Sequence, residues 1–526
     1  MGIARIIAEN EQLRQELATQ KALLAERDAQ IAALKISNED LAQRLELLRI
    51  KASERRNQRY IEDPAVIPLP LTFTPTPPPP RLPESEPTPE PTPEPAPTAD
   101  AEKPKAKEKK RSQRRDLSQP SQRPVRKLAC KVDPKAACKK CGGILKVFGT
   151  SHAYRVEWVP GHFETLDIER ERCACPNCPS EGVLVAPPPD FALPKAMCGN
   201  GLLAKVLVDK FADRIPLNLQ VERMRREGEV FSVATLCDWI LLAAGEKLLG
   251  RIAKAIGDRL MAGSWVQVDD TGYPVQDGLD GKLRKGRLWA ITDQQEVWYQ
   301  FTDTKEGIHP ADFLENFKGK LLLVDGGSEF NLVVDKKELL RAGCWSHLRS
   351  YFFDARHHYP NEARLALGTL RDLFSIEAGL VGASHETILN VRQRDSRPLV
   401  EGFFNWVVGI RREARPTSLL GAALTYAVNG RENFERFLAH PELPMHNNRA
   451  ELALRGPVCG RKAWLFAGSE GGAKAGATLF TLLNSCKMQG IDPWVYLADV
   501  LSRIQHHPVN QIHLLTPLHW RLAREG

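Results

Sequence analysis

The first fifty residues carry apolar side chains at positions that are alternately three and four residues apart. This pattern, kept over six heptads, predicts one long helix with an apolar seam, which is typical of a coiled coil. Asn10 and Asn38 share a heptad position, where a polar residue costs stability but fixes register and favours dimers. We therefore predict a dimerisation helix over residues 1–55. The alternative is an amphipathic helix that packs on the chain's own core. The seam consists of Ile6, Asn10, Leu13, Leu17, Gln20, Leu24, Arg27, Ile31, Leu34, Asn38, Leu41, Leu45 and Leu48.

A segment of a different kind follows this helix. Fifteen of the chain's 38 prolines lie between Pro64 and Pro97, which excludes a packed core and predicts a semi-rigid polyproline spacer. Between Lys103 and Lys131 there are twelve basic and two acidic residues, so this tract (+10) outweighs the net charge of the whole chain (+8). Such a run is typical of a solvated tether, but beside a metal-binding knuckle it favours a polyanionic partner. We predict a disordered linker over residues 56–131.

The rest of the chain has the pattern of folded domains. Residues 198–262 are mostly helical in pattern, with a break at Gly228 and a candidate N-cap at Ser232, as in a helix-turn-helix. Four apolar, β-rich runs follow, namely SWVQVDDTG, GRLWAITD, EVWYQFTD and KGKLLLVDGG. Helical stretches lie between and after them, the longest at about 361–440. This alternation predicts an α/β core with a large helical insertion.

These patterns define a multidomain protein. We predict a zinc-binding domain at 132–190 and a helical region at 191–262. A catalytic core at 263–470 and a C-terminal helical module at 471–526 follow. With 526 residues, of which 42% are hydrophobic and 26% charged, the chain has material for several cores. No run of ~18 apolar residues is present, and the N-terminus is charged and heptad-like, so we expect neither a membrane span nor a signal peptide.

The cysteines carry the most specific spacing. Cys138 and Cys141 form one C-x-x-C pair, and Cys175 and Cys178 form another. Four thiolates on turns suit tetrahedral zinc, and a closed four-thiolate site would be structural. Cys173 could compete as a ligand, and the alternative is that all of these are free surface thiols. The use of C-x-x-C pairs indicates a cytoplasmic protein rather than a disulfide framework. The remaining cysteines are expected in the core or in loops: Cys130, Cys198, Cys237, Cys344, Cys459 and Cys486.

Three acidic residues form a second candidate set. Asp269 and Asp325 each end an apolar strand, and Glu451 lies on a later helix that begins near Asn447 and Asn448. A carboxylate at the end of a buried strand is costly to desolvate unless it is paired or binds metal. Two such aspartates and a glutamate can hold two divalent cations for phosphoryl transfer. The alternative for each strand-end aspartate is a turn-capping role.

The C-terminal half resembles the DDE transposases of the insertion sequence 66 family. VDDTGYPVQDG and GRLWAITD stand where the family has its first acidic triplet and a Trp-containing strand. LLLVDGGSEFN stands where the family has its second Asp, in a D-G pair at the end of a strand. Cys344, Trp345, His347 and Arg349 match a C-W-x-H-x-R segment. The stretch from NNRAELALRGPV to DPWVYLADVL is similar to the family's third-carboxylate segment and C-terminal module almost throughout. With the knuckle and the helical region, the resemblance covers about residues 137–520.

This resemblance implies a ribonuclease-H-like core whose catalytic triad falls on Asp269, Asp325 and Glu451. It implies magnesium, with manganese as a substitute, and cleavage at the ends of a bacterial insertion sequence followed by strand transfer into target DNA. The partners would be double-stranded DNA, a second copy of the chain and small accessory proteins of the same element. The protein would then be nucleoid-associated in the cytoplasm.

Other residues near the triad have two interpretations each. Arg449, Arg455, Arg461 and Lys462 flank Glu451 and would line a DNA path, or they serve as ordinary surface and ion-pair residues. His347 would orient a water or a phosphate near the metals, but we favour a histidine satisfied in the core. Trp345 and Trp464 are expected in the core.

Three departures from the family pattern are present. Asp270 stands where the family usually has Glu, with Gly272 and Tyr273 where a Pro is usual nearby, and His446 replaces a common Asp. The proline-rich spacer and basic tract are also longer than the family's linker. The first departure would suit a catalytically inactive relic that only binds DNA. A nuclease of the same fold without strand transfer is a third hypothesis, which the predicted zipper and helical insertion disfavour.

Overall fold

The computed structural model of the chain describes residues 2–57, 172–174, 183–185, 189–276 and 282–525, with a few single positions between 161 and 166. The predicted proline-rich spacer and basic tract lie outside the described residues. So do the four predicted zinc ligands, Cys138, Cys141, Cys175 and Cys178. The helices and strands below all belong to one compact unit. None of the described helices is both long and apolar enough to cross a membrane.

The N-terminal pattern forms a single helix, α1 (Gly2–Asn57), which is ~84 Å long at 1.5 Å per residue. From Leu17 to Leu48, where its side chains are described, the predicted seam is exposed: Leu24, Leu34 and Leu48 are each more than 60% accessible. The helix meets the rest of the chain through polar residues of another face. Glu39 and Asp40 pair with Arg415 at 2.8 and 3.3 Å. The alternative of an apolar face packed on the core is therefore not the arrangement found.

Two short strands and four helices precede the central sheet. The strands pair in antiparallel fashion, with Cys173 opposite Leu184. The predicted break at Gly228 is confirmed, since this residue has a φ of +97°, which favours glycine. The predicted N-cap is also confirmed: the Ser232 hydroxyl accepts the N–H of Thr235 at 3.0 Å. The elements are β1 (Arg172–Ala174), β2 (Val183–Val185), α2 (Asn200–Phe211), α3 (Leu217–Arg226), α4 (Val233–Ala244) and α5 (Leu249–Ala262).

A five-stranded mixed sheet forms the centre of the α/β core. Its strands are β3 (Trp265–Gln276), β4 (Leu283–Thr292), β5 (Val297–Thr302), β6 (Leu321–Val324) and β7 (Leu340–Gly343). The strand order is β5-β4-β3-β6-β7. The pairs β3–β4 and β4–β5 are antiparallel, whereas β3–β6 and β6–β7 are parallel. Helix α6 (Ile308–Phe313) precedes β6, and α7 (Asn331–Lys337) follows it.

The structure differs from the sequence prediction at two strands. We predicted that β3 ends at Asp269, but it continues to Gln276 because β4 pairs with it along its length, as far as Gln276 opposite Leu283. The edge strand β7 was missed. It has four residues, among them Arg341 and a glycine, and so lacks the apolar run that marks the other strands.

The helical insertion begins directly after β7, earlier than the predicted residue 361. Trp345 lies at its centre and is fully buried. Four phenylalanine rings surround the indole with centroids 5.3 to 6.1 Å away, and the indole N–H donates to the Phe434 carbonyl at 3.0 Å. The insertion comprises α8 (Trp345–Ala355), α9 (Pro360–Gly379), α10 (His385–Val391), a π-helical turn (Arg392–Ser396), α11 (Arg397–Arg411), α12 (Leu419–Asn429) and α13 (Arg431–Glu435).

The C-terminal helices close one side of the sheet. The long, largely buried helix α15 (Glu470–Met488) packs on β5. The hydroxyls of Thr481 and Ser485 accept the N–H groups of Tyr299 and Val297 at 2.9 and 3.1 Å. These hydroxyls therefore bond N–H groups of β5, the edge strand, on the side where the described sheet has no further strand. The helices are α14 (Asn448–Trp464), α15 (Glu470–Met488), α16 (Pro493–Arg503) and α17 (Pro517–Glu525).

Candidate active site

The register of two parallel strands brings the predicted aspartates to one level of the sheet. Gln267 of β3 lies opposite Leu323 of β6, and this is the last pair of the parallel ladder. Asp269 and Asp325 each follow two residues later, so both side chains fall on the same face. Adjacent strands are ~4.8 Å apart, which makes these carboxylates neighbours.

The loop that carries Asp325 is fixed from β7. The Arg341 guanidinium donates to the carbonyls of Asp325 and Gly327 at 2.7 and 2.6 Å. The Gly327 N–H donates to the Asp325 carboxylate at 3.0 Å. At Gly326 a Cβ would lie 2.7 Å from the ring of Tyr426, so the sequence D-G-G fits this close approach. The turn-capping alternative for Asp325 thus describes part of its role.

The third carboxylate reaches the sheet through the start of α14. The buried Asn447 amide donates to the Val268 carbonyl at 3.0 Å, directly before Asp269 in β3. The Asn447 carbonyl in turn accepts the N–H of Glu451 at 3.2 Å in the first turn of α14. Asn447 therefore positions Glu451 beside Asp269, although the two residues lie 182 positions apart in the chain.

The electrostatic environment of Asp269 shows how close the three carboxylates are. Burial, together with the negative charges of Glu451, Asp325 and Asp270, raises the pKa of Asp269 to about 7. The N–H of Asp270, which donates to the Asp269 carboxylate at 2.8 Å, offsets only part of this rise. The strongest side-chain charges acting on Asp269 are thus all negative, and a bound cation would relieve them.

His347 also belongs to this cluster, which corrects our interpretation of it as a core residue. Its side chain is 36% exposed, and its Nδ1 lies 3.5 Å from Glu451 Oε1. Nδ1 itself is shielded from solvent and has no hydrogen-bond partner among the described residues. Potential ligand atoms of Cys344, His347 and Glu451 lie within 4.8 Å of one another.

Cys344 holds the two helices of this cluster together. It occupies the N-cap position of α8, and its buried thiol accepts the Asn447 N–H at 3.2 Å. Burial raises the pKa of this thiol to about 12, so it is a neutral group at physiological pH. The predicted core placement of Cys344 is confirmed.

Asp270 points away from this set. As strand neighbours, Asp269 and Asp270 face opposite sides of β3. Asp270 pairs with Arg287 and Lys305, each at 3.2 Å, and Lys305 also pairs with Glu329. Its departure from the family's usual glutamate therefore lies within an ion-pair network rather than among the three converging carboxylates.

The four predicted DNA-contacting residues do not share one surface. Arg455 and Lys462 are exposed and follow Glu451 by four and eleven residues, which places them within ~40° of it on α14. Arg449 is on another face and donates to the Gln294 carbonyl at 3.3 Å. Arg461 donates to the Gly272 carbonyl of β3.

The donor set suits a hard divalent cation. Asp269, Asp325 and Glu451 supply carboxylate oxygens, the ligands that magnesium prefers. Asp269 is largely buried and repelled by its acidic neighbours, and His347 presents an unpartnered nitrogen toward Glu451. The residues present thus fit a magnesium or manganese site.

Sequence reasoning missed the residues that position this set. Arg341 and Asn447 act through backbone carbonyls, and no spacing rule connects them to the carboxylates they fix. The one available signal was local: Asn447 and Cys344 each stand at the start of a helix that carries a candidate polar residue.

Comparison with known proteins gives consistent matches. The family model described as Transposase IS66 family matches residues 195–475, more than half of the chain, and that of the IS66 C-terminal element matches residues 481–518. The chain is 30% identical over 440 residues to y4hP of Sinorhizobium fredii, which covers 78% of each chain. It is also 30% identical over 400 residues to y4qI of the same organism, which covers 72% of this chain and 73% of the relative. Both relatives are named as uncharacterized proteins.

Proposed function

The chain belongs to the insertion sequence 66 family of transposases, and on that premise we propose that it cleaves the ends of a bacterial insertion sequence and joins them to target DNA. The observation that carries this proposal is the convergence of three carboxylates at one edge of the parallel ladder. Asp269 and Asp325 arrive there by strand register, and Glu451 arrives through the hydrogen bond from Asn447 to β3. The mixed sheet order supports a ribonuclease-H-like core.

In this proposal Asp269, Asp325 and Glu451 hold two divalent cations, magnesium or manganese. When bound, the cations supply Lewis acidity toward the scissile phosphodiester and stabilise charge on the attacking and leaving oxygens. Arg341 keeps the Asp325 loop in place, while Asn447 and Cys344 keep Glu451 and α8 against β3. Arg455 and Lys462, on the exposed face of α14, bind the backbone of the DNA where it leaves the centre.

A strand-transfer assay tests the proposal. Purified protein is incubated with magnesium, the element's own terminal sequences and a target plasmid, and joined products are counted. We expect Asp325→Asn to lower product formation by at least ~10³-fold, because it removes a charged ligand and thus several kcal/mol of transition-state stabilisation. The exposed Asp335 on α7 provides the matched control, since Asp335→Asn removes a charge without touching the candidate site.

The outcomes separate the competing functions. Cleavage of the ends without joining would favour a nuclease of the same fold. Binding to the ends without cleavage, by the wild type as well as by Asp325→Asn, would favour the inactive relic. Equal activity of Asp325→Asn and wild type would refute the triad. The ion pairs that occupy Asp270 argue against the relic, because they account for this departure without loss of a triad carboxylate.

The DNA path makes a separate prediction. The double substitution Arg455→Ala and Lys462→Ala should weaken binding to duplexes of any sequence and reduce the slope of log affinity against log salt by about 2, about 1 per phosphate contact. Fluorescence anisotropy with a labelled duplex at several salt concentrations measures this slope. Arg449→Ala serves as the comparison, since that guanidinium bonds a backbone carbonyl on another face. An unchanged slope in the double variant would show that DNA follows another surface.

The same proposal includes partners and a structural metal. Dimerisation through α1 is supported by its exposed leucine seam, which the polar contacts with the insertion leave free. Structural zinc on Cys138, Cys141, Cys175 and Cys178 is supported by the position of the second pair, which connects the antiparallel strands β1 and β2 in sequence. Small accessory proteins of the same element stay a prediction from the family.

A further inference from the structure

We propose that His347 is a fourth ligand of the catalytic centre and binds, through Nδ1, the divalent cation held by Glu451. This inference rests on the proposed function, because it assumes a cation at the carboxylates. It adds that the two cation positions differ: the one between Asp269 and Asp325 is all oxygen, and the one at Glu451 is mixed nitrogen and oxygen. A mixed site takes manganese more readily than magnesium, since imidazole suits transition metals and magnesium favours oxygen.

The geometry of the two side chains carries the proposal. His347 Nδ1 and Glu451 Oε1 lie 3.5 Å apart, beyond the usual hydrogen-bond distance, and no hydrogen bond joins them. Two atoms bound to one cation at ~2.1 Å and at right angles lie about 3.0 Å apart, so a small rotation of either side chain completes the pair. Nδ1 is shielded from solvent, although the ring as a whole is partly exposed, and a shielded nitrogen without a partner is costly.

The residues around this pair fix the backbones of His347 and Glu451 but form no hydrogen bond with His347 Nδ1. His347 lies in the first turn of α8, and Glu451 lies in the first turn of α14. Both turns are joined at one point, where the Cys344 thiol accepts the Asn447 N–H and the Met445 carbonyl accepts the Trp345 N–H at 3.0 Å. These bonds fix the backbones of both ligand-bearing turns and leave the imidazole and the carboxylate free to meet a cation.

Cys344 does not compete with His347 Nδ1 for the cation in this site. Its sulfur is fully buried and already accepts a backbone N–H, so it supports the pair from behind. A soft sulfur ligand would also select zinc or iron over the hard cations that the carboxylates bind. The ligand that the geometry offers beside Glu451 is therefore the imidazole of His347.

The test detects the bound metal ion by spectroscopy. Mn²⁺ is added at about two equivalents to the full-length chain, and electron spin echo envelope modulation detects ¹⁴N coupled to the bound ion. We expect imidazole nitrogen coupling in the wild type and its loss in His347→Asn, whose affinity for one Mn²⁺ should fall about tenfold or more. His357→Asn is the matched control, because His357 is exposed and follows the end of the same helix at Ala355.

A second pair of variants keeps this inference separate from the proposed function. Glu451→Gln and Asp325→Asn should each weaken Mn²⁺ binding if the carboxylates hold cations at all. Weakened binding in these two, with ¹⁴N coupling that persists in His347→Asn or is absent from the wild type, would overturn the role of His347 alone. Unchanged Mn²⁺ binding in all three variants would refute the metal centre itself. Circular dichroism of His347→Asn checks that α8 is still folded.

Discussion

Asp269→Asn should abolish strand transfer and, at the same time, make the metal-free protein more stable above pH 7. The loss of activity, at least ~10³-fold, follows from removal of a carboxylate ligand. The gain in stability follows from the environment of Asp269, whose pKa is raised to about 7 by burial and by three neighbouring carboxylates. Activity is measured by the joining assay, and stability by thermal unfolding with a chelator present.

The sign of the stability effect follows from proton binding. The unfolded aspartate has its ordinary pKa of 3.8, so between about pH 4 and pH 7 the folded protein holds a proton that the unfolded chain has lost. Stability of the wild type therefore falls as pH rises through this window, and asparagine removes the decline. A full shift of this size corresponds to ~4 kcal/mol, and because Asp269 keeps part of its surface in solvent we expect about 2 kcal/mol at pH 8.

Two comparisons complete this experiment. At about pH 3 the wild type and Asp269→Asn should unfold at nearly the same temperature, since the carboxylate is then largely protonated in both the folded and the unfolded state. Magnesium at pH 8 should stabilise the wild type and leave the variant unchanged, because the ion offsets the repulsion only where the carboxylate exists. A variant that unfolds at a lower temperature than the wild type at pH 8 would contradict the electrostatic account.

Trp345→Ala should destabilise the chain by about 3–5 kcal/mol, the largest structural effect that we predict. The fully buried indole is enclosed by four phenylalanine rings and donates to the Phe434 carbonyl, so alanine leaves both a cavity and an unpaired carbonyl. Because Trp345 also starts α8, the loss should reach His347 and Glu451 and lower strand transfer in the surviving folded protein. Urea unfolding followed by circular dichroism measures the first effect.

Two further variants, Trp345→Phe and Leu365→Ala, should lose less stability than Trp345→Ala. Phenylalanine keeps most of the apolar contact and loses only the indole hydrogen bond, so we expect about 1 kcal/mol. Leu365 is 45% exposed on α9 of the same insertion, and its removal should change stability by no more than about 0.5 kcal/mol. Equal losses at positions 345 and 365 would show that the aromatic cluster does not stabilise the insertion.

The elements of the fold that rest on local patterns could be predicted from the sequence. The long N-terminal helix, the turn at Gly228, the N-cap at Ser232 and four of the five central strands follow from periodicity and from the preferences of single residues. β7 could not be predicted, because its four residues carry no apolar run and its pairing comes from β6, not from its own sequence.

The candidate site was predictable only in part. Strand position and the family resemblance pointed to Asp269, Asp325 and Glu451, but the end of β3 was placed wrongly because pairing with β4 carries the strand on to Gln276. His347 was assigned to the core, where its neighbours Trp345 and Leu348 do lie. Its exposure depends on where α14 meets α8, and no local pattern encodes a contact between segments a hundred residues apart.

The bond from Asn447 to β3 also sets the order in which this centre can be assembled. The two aspartates lie within the sheet and are neighbours once β3 and β6 pair, whereas Glu451 follows Asp325 by 126 residues. At about 5–20 residues per second, a ribosome needs about 6–25 seconds to add that stretch. A growing chain with its sheet already formed thus holds an incomplete set of carboxylates. The intervening insertion thus delays the arrival of Glu451, and only a chain that has grown past the insertion has all three carboxylates to bring together.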